Sequence, residues 1–274
     1  VSRTHRARWR ELGKDDRGSR PRCVLLTTDG SRREIAARLT DLVGLPEVTV
    51  SATDRWWPAG QPLRTNDGWD KTPATEARID RDNGFVALTV RRALVEWWLA
   101  VASPKSQTPQ WDVASTCTIE GRRGLVLVEA KAHSNELSTA GKLQPKPDSD
   151  NGWKNHDRIG AAIAQANIGL QRAGGGSWAL SRDRCYQLSN RFAWSWKLAS
   201  LGVPVVLVYL GFLRAGEMAR DGTLYRGEDD WETKLRGHAR GVCDDACWGM
   251  RVDVDGTPLR PLIRAVDVPF PPAV

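Results

Sequence analysis

The chain is 274 residues long, 41% hydrophobic and 27% charged, a composition that excludes a disordered tail or a fibrous repeat and fits a folded domain with a sizeable core. Its formal charge is +7, but residues 1–22 alone hold eight basic and three acidic side chains, so the rest of the chain is close to neutral. Charge by itself therefore does not argue for a polyanionic partner. No apolar run approaches the ~20 residues of a membrane-spanning helix.

Residues 1–22 read as a basic, flexible arm and residues 23–274 as a single domain. The arm has no apolar signal region, so the expected location is the cytoplasm, with the five cysteines reduced. Residues 23–27 form a short apolar run, read as a strand. Ser31 and Glu34 then stand in a capping-box pattern, which predicts a helix that ends near Gly44. Residues 47–51 read as a second strand and 54–82 as irregular. Over 85–102 the apolar residues cover most of a helix circumference, which predicts packing on more than one side.

Residues 111–119 and 125–132 form a predicted hairpin around a turn at 121–124. A polar loop over 139–152 leads to a helix over 155–172 with Ile159, Ala162, Ile163, Ala166 and Leu170 on its apolar face. After three consecutive glycines a second helix runs from 181 or 182 to 201, closed by Gly202 with Pro204 beyond it. Residues 205–213 read as a strand buried on both faces. A short helix over 231–240 and a hairpin turning at Asp255 and Gly256 complete the chain. Cys243 and Cys247 lie near His238 but lack a second ligand pair at zinc-finger spacing, and read as two unrelated small residues. The fold class is α/β, or α+β in stricter schemes: a mixed central sheet flanked by helices, with additions at both ends.

The chemistry concentrates on the central hairpin. Residues 125–128 are all apolar, and then Glu129 and Lys131 place charge where charge is expensive. Being two apart, both side chains leave the same face of a strand. If the turn pairs residues 121 and 124, Asp112 faces His133. If it pairs 119 and 124, Asp112 faces Lys131. Both registers gather Asp112, Glu129 and Lys131 on one face, whereas a one-residue slip separates them. Two carboxylates offer hard oxygen ligands to Mg²⁺, with Mn²⁺ as a substitute, and an ammonium can orient water or stabilise developing charge. A buried ion pair between neighbouring strands is the competing explanation.

Asp112, followed by Glu129, Ala130 and Lys131 after an apolar strand, resembles the PD-(D/E)xK phosphodiesterase superfamily of restriction-endonuclease-like nucleases. The resemblance spans residues 85–213 and implies a core of a helix, a three-stranded meander, a helix and a further strand. It assigns metal binding to Asp112 and Glu129 and a catalytic role to Lys131. One departure is Trp111 in place of the proline before Asp112, and no first meander strand is evident before Trp111. Many such nucleases add an acidic residue from the preceding helix, which points to Glu96, with Glu76 as the alternative. The implied activity is metal-dependent phosphodiester hydrolysis of nucleic acid, DNA ahead of RNA.

Candidate contacts to nucleic acid follow from spacing and residue type. His133 continues the Glu129 and Lys131 face, and Asn155 and Arg158 lie on the first long helix. On the second, Arg184, Gln187, Arg191 and Trp194 form one stripe, with Asn190 beside it. A solvated helix face is the competing explanation. Two other functions are compared, the first of them raised by thirteen Trp against four Phe and three Tyr. One is a glycoside hydrolase using Glu76 and Glu96 in a Trp-lined cleft. The other is a nuclease fold retained only for nucleic-acid binding or assembly.

Overall fold

The computed structural model describes residues 17–58, 76–81, 83–103 and 106–269. Helices α1 (Ser19–Thr28) and α2 (Arg32–Val43) come first, followed by the short strands β1 (Val48–Thr49) and β2 (Trp56–Trp57) and by helix α3 (Leu88–Trp98). The hairpin β3 (Val113–Ile119) and β4 (Arg122–Lys131) precedes the long helices α4 (Asp150–Ala173) and α5 (Tyr186–Ser200). Strand β5 (Val205–Phe212), helix α6 (Glu228–Ala239) and the hairpin β6 (Val252–Val254) and β7 (Thr257–Val266) follow. The described residues contain no helix long and apolar enough to cross a membrane.

All seven strands belong to one mixed sheet in the order β1-β3-β4-β5-β7-β6, with β2 also against β3. β4, β5 and β7 run parallel to one another, and the hairpins at either side are antiparallel. Parallel neighbours need crossover connections. Here α4 and α5 cross from β4 to β5, and the segment containing α6 crosses from β5 to β7. Every residue of β5, and every residue of β4 from Gly124 onward, is buried, because helices cover both sheet faces. One face carries Leu125, Leu127, Val205 and Leu207 against α3, α4, α5 and α6. The other carries Val126, Val128, Val206 and Val208 against α1 and α2.

The capping box at Ser31 and Glu34 is formed on both sides, and Gly44 closes α2 in the left-handed conformation. The C-terminal hairpin turns at Asp255 and Gly256 with φ of 50° and 78°. Residues 23–27, read as a strand, instead lie within α1. A five-residue apolar run does not distinguish helix from strand by periodicity. Helix formation extends the ordered body into residues counted with the arm. Arg22, 2% exposed, reaches Glu217 with Nη2 to Oε2 at 2.9 Å.

Helix α3 is shorter than expected and fully buries only Leu94 and Trp98, so it packs mainly on one side. Helix α4 begins at Asp150, inside the segment read as a loop, and α5 begins later than expected, at Tyr186. There is no strand at residues 106–110; β1 and β2 occupy the position beside β3 expected of a first meander strand. Cys243 and Cys247, read as unrelated, are in contact, with the two sulfurs 2.8 Å apart in a buried setting.

Where α4 crosses α5, Gly169 lies flat against the Trp196 indole, and a Cβ at this position would fall inside the ring's envelope. Gly169→Ala should therefore destabilise the chain by about 1–3 kcal/mol despite the better helix propensity of alanine. Urea unfolding measures this, and a variant as stable as the wild type would refute close α4–α5 packing.

Candidate active site

The hairpin turn sets the geometry. Glu120 and Gly121 occupy its two corners with φ of 50° and 76°, so the loop is two residues long and Ile119 pairs with Arg122. Neither expected register is the one formed. Val113 faces Val128, which brings Asp112, just before β3, level with Glu129. The register differs from both expectations by an even shift, so Asp112, Glu129 and Lys131 still share one face. Asp112 Oδ2 accepts the backbone N–H of Ala130 at 2.7 Å, which ties the start of β3 to the end of β4.

Glu129 is 1% exposed and bonded at both oxygens. Lys131 Nζ donates to Oε1 at 2.5 Å and Arg191 Nε to Oε2 at 2.6 Å. Lys131 Nζ also donates to Gln187 Oε1 at 3.1 Å. Arg191 in turn is braced by Asn190 Oδ1 at 2.7 Å and lies over the Trp111 ring, 4.8 Å from its centroid. Asp112, Glu129, Lys131, Gln187 and Arg191 line a cleft of about 380 Å³, which Glu76, Gln110, Glu136 and the α1 segment also border.

Burial works to raise the Glu129 carboxyl's pKa, but Arg191 and Lys131 outweigh it and hold the carboxylate below its ordinary range. Burial likewise works against the Lys131 ammonium, and the charges of Glu129 and Asp112 overcome it, so its pKa is raised. Asp112 behaves differently. Loss of hydration and then the neighbouring Glu129 charge push its carboxyl up to about 7, only partly opposed by Lys131 and the Ala130 N–H.

An unfolded aspartate titrates near 3.9, so between about pH 4 and pH 7 the folded state keeps a proton that the unfolded state has lost. Stability from this group is thus full below pH ~4 and declines as pH rises to ~7, by roughly 2–4 kcal/mol in all. Asp112→Asn should remove that decline in metal-free protein. Urea unfolding at pH 5 and pH 8 in a chelator tests this, and parallel losses in both proteins would contradict it.

The structure also redistributes the expected contact residues. Gln187 and Arg191 do face the cleft, but Arg191 and Asn190 are buried, 7% and 5% exposed, and hold Glu129 rather than forming an outer surface. Trp194, on the expected stripe, is wholly buried against Trp98. Arg184 precedes α5 and donates to the Gly241 carbonyl at 3.0 Å. Asn155 clamps both backbone groups of Val101, and Arg158 donates to the Glu96 carbonyl at 2.8 Å. Asn155, Arg158 and Arg184 lie outside the set of cleft-lining residues.

Glu96 does not join the site; it is exposed on α3. A carboxylate between bulky residues there needs no buried partner, because it faces water. Glu76, the alternative, lines the cleft and pairs with Arg20 at 3.3 Å. His133 is 7% exposed and is not one of the cleft-lining residues; its carbonyl accepts the Tyr225 hydroxyl at 2.7 Å. Glu136, just beyond β4, also lines the cleft and accepts the backbone N–H groups of Ala132 and His133. Arg17, Ser19 and Arg20 carried no signal in the sequence, because the segment holding them reads as an arm.

The donor chemistry fits a small divalent cation. Among the described residues no three His, Cys, Asp or Glu side chains form a ready cage. Mg²⁺ does not require one, since one or two carboxylates with water and substrate phosphate suffice. Asp112 Oδ1 makes no hydrogen bond among the described residues, and a cation beside it would favour its charged form.

Among the described residues Trp98, Trp111, Trp194 and Trp231 are wholly buried, and Glu96 does not line the cleft that holds Glu76. No family model, curated protein or solved structure matches this chain.

Proposed function

We propose that the protein is a divalent-metal-dependent phosphodiesterase acting on nucleic acid, DNA ahead of RNA, with a PD-(D/E)xK-type site. The observation that carries this reading is the convergence of Asp112, Glu129 and Lys131 on one polar cleft, with Asp112 level with Glu129 across the hairpin. Element order supports it as well. A helix (α2), the two short strands β1 and β2 one after the other along β3, then β3, β4, helices and a parallel strand (β5) follow the order of the superfamily core, with β1 and β2 together in place of its first strand. On this reading the first core helix is α2, and α3 is inserted between the first two strands.

Asp112 and Glu129 would hold the metal, which supplies charge neutralisation at the attacked phosphate and a more acidic water. Arg191 keeps Glu129 ionised and aimed toward the cleft. Lys131, its ammonium favoured by two carboxylates, acts as a donor to the phosphate or to the attacking water rather than as a base. Gln187 limits the swing of Nζ between itself and Glu129.

The test is cleavage of labelled DNA by purified protein with Mg²⁺ or Mn²⁺, with Lys131→Ala and Asp112→Ala as controls. Retention of DNA without cleavage by any common divalent metal would reassign the protein as a binding module.

A further inference from the structure

Beside the cleft lies a second, larger hollow of about 680 Å³, walled by Arg214, Arg220 and Arg226 and by the segment 219–225. Two connections join the hollows. Asn135 lines the larger one and precedes Glu136, which lines the cleft. Arg17 of the cleft wall stands 3.7 Å from Asp221 of the larger hollow.

Around this partition three buried polar atoms make no hydrogen bond among the described residues: Arg17 Nε, His133 Nδ1 and Asp221 Oδ2, the last held only by its 3.7 Å ion pair with Arg17 Nη2. His133 Nδ1 points at Gly222, where an added Cβ would come within 2.5 Å. Buried polar atoms in folded proteins almost always find a partner, so a cluster of orphans beside an open hollow marks a place for ligand or solvent atoms.

The charge of the hollow is one-sided. Arg214 pairs with Asp267, but the guanidinium groups of Arg220 and Arg226 make no hydrogen bond or ion pair among the described residues. Asp221 is the single carboxylate of the lining and is offset by Arg17. Exposed, unpaired arginines next to a polar cleft suit the phosphates of an extended chain, since guanidinium matches phosphate geometry.

We infer that the two hollows form one track for a polynucleotide strand, whose phosphates lie over Arg220 and Arg226 and pass the Arg17–Asp221 partition to reach Lys131. This inference rests on the phosphodiesterase reading and adds a substrate class to it: a strand of several nucleotides rather than a mono- or dinucleotide.

The experiment uses the full chain carrying Lys131→Ala, with and without Arg220→Gln and Arg226→Gln, and measures anisotropy of labelled single-stranded DNA. The paired arginine substitutions should weaken binding of a probe of about 16 nucleotides roughly tenfold and reduce the salt slope by about 1.4. A probe of about 4 nucleotides should bind both proteins alike. Equal affinity of both proteins for the long probe would overturn the track.

The hydrolytic reading is judged separately, with bis(4-nitrophenyl) phosphate and Mn²⁺ and with Lys131 intact. There the arginine variant should match the wild type. If the wild type hydrolyses this small ester but the arginines do not affect long-probe binding, the track alone falls. If nothing is hydrolysed and the arginine variant still loses the long probe, the hydrolytic reading falls and the track stands as a binding surface.

Discussion

Lys131→Ala should lower the proposed metal-dependent DNA cleavage a hundred- to a thousandfold, the loss typical of removing one donor aimed at developing charge. The ammonium sits 2.5 Å from Glu129 Oε1 and 3.1 Å from Gln187 Oε1, at a cleft wall where little water screens it. The substitution should leave the fold in place, because Glu129 keeps its 2.6 Å bond to Arg191 and is not stranded as an unpaired buried charge. Circular dichroism and a thermal melt check the fold, and a labelled-DNA assay checks the rate. A folded Lys131→Ala protein that cleaves as fast as the wild type would reduce the Glu129–Lys131 pair to a structural contact.

Arg191→Met should be the most destabilising single change at the site, by about 3–5 kcal/mol. It removes one of the two cations holding a carboxylate that is 1% exposed, and it leaves Asn190 Oδ1 without its donor. For a chain of this size such a loss lowers the thermal midpoint by roughly 6–15 °C. Adding Glu129→Gln should recover part of the loss, since a neutral amide needs no counter-charge, whereas it cannot recover activity. If Arg191→Met melted within about 2 °C of the wild type, below the shift of 1 kcal/mol, the buried ion pair would contribute nothing to stability. Arg191→Lys should fall between the two, since it keeps the charge and loses the fixed fork geometry.

The central hairpin shows how far local pattern carries. Charge at Glu129 and Lys131 after four apolar residues signals a strand that ends at a polar site, and any register an even number of residues from the expected ones brings Asp112 to the same face. The register itself was not legible. Glu120 and Gly121 take left-handed conformations at a two-residue turn, and a glutamate there gives none of the Asn-Gly or Asp-Gly signal that marks such turns. Residues 23–27 failed for a related reason, since a short apolar run is compatible with either a helix or a strand.

Helix α5 shows the opposite case. Spacing correctly places Gln187, Arg191 and Trp194 on one stripe, but periodicity is blind to whether a polar stripe meets water or a buried partner. The stripe turns inward because Glu129, 62 residues away in the chain, supplies a counter-charge for Arg191. Arg17, Ser19, Arg20, Glu76 and Glu136 reach the cleft by the same kind of long-range placement, through the docking of α1 and the strand-end turn.

Local sequence thus carries the alternation of helices and strands, the capped start of α2, the doubly buried strands and the face shared by Asp112, Glu129 and Lys131. Each of these depends on neighbours a few residues apart, where backbone geometry and apolar period leave little freedom. The hairpin register, the inward turn of Arg191 and the exposure of Glu96 emerge only when distant segments pack. Desolvation makes an unpaired buried charge costly, and which charges become buried is settled by the sheet and helices that close around them.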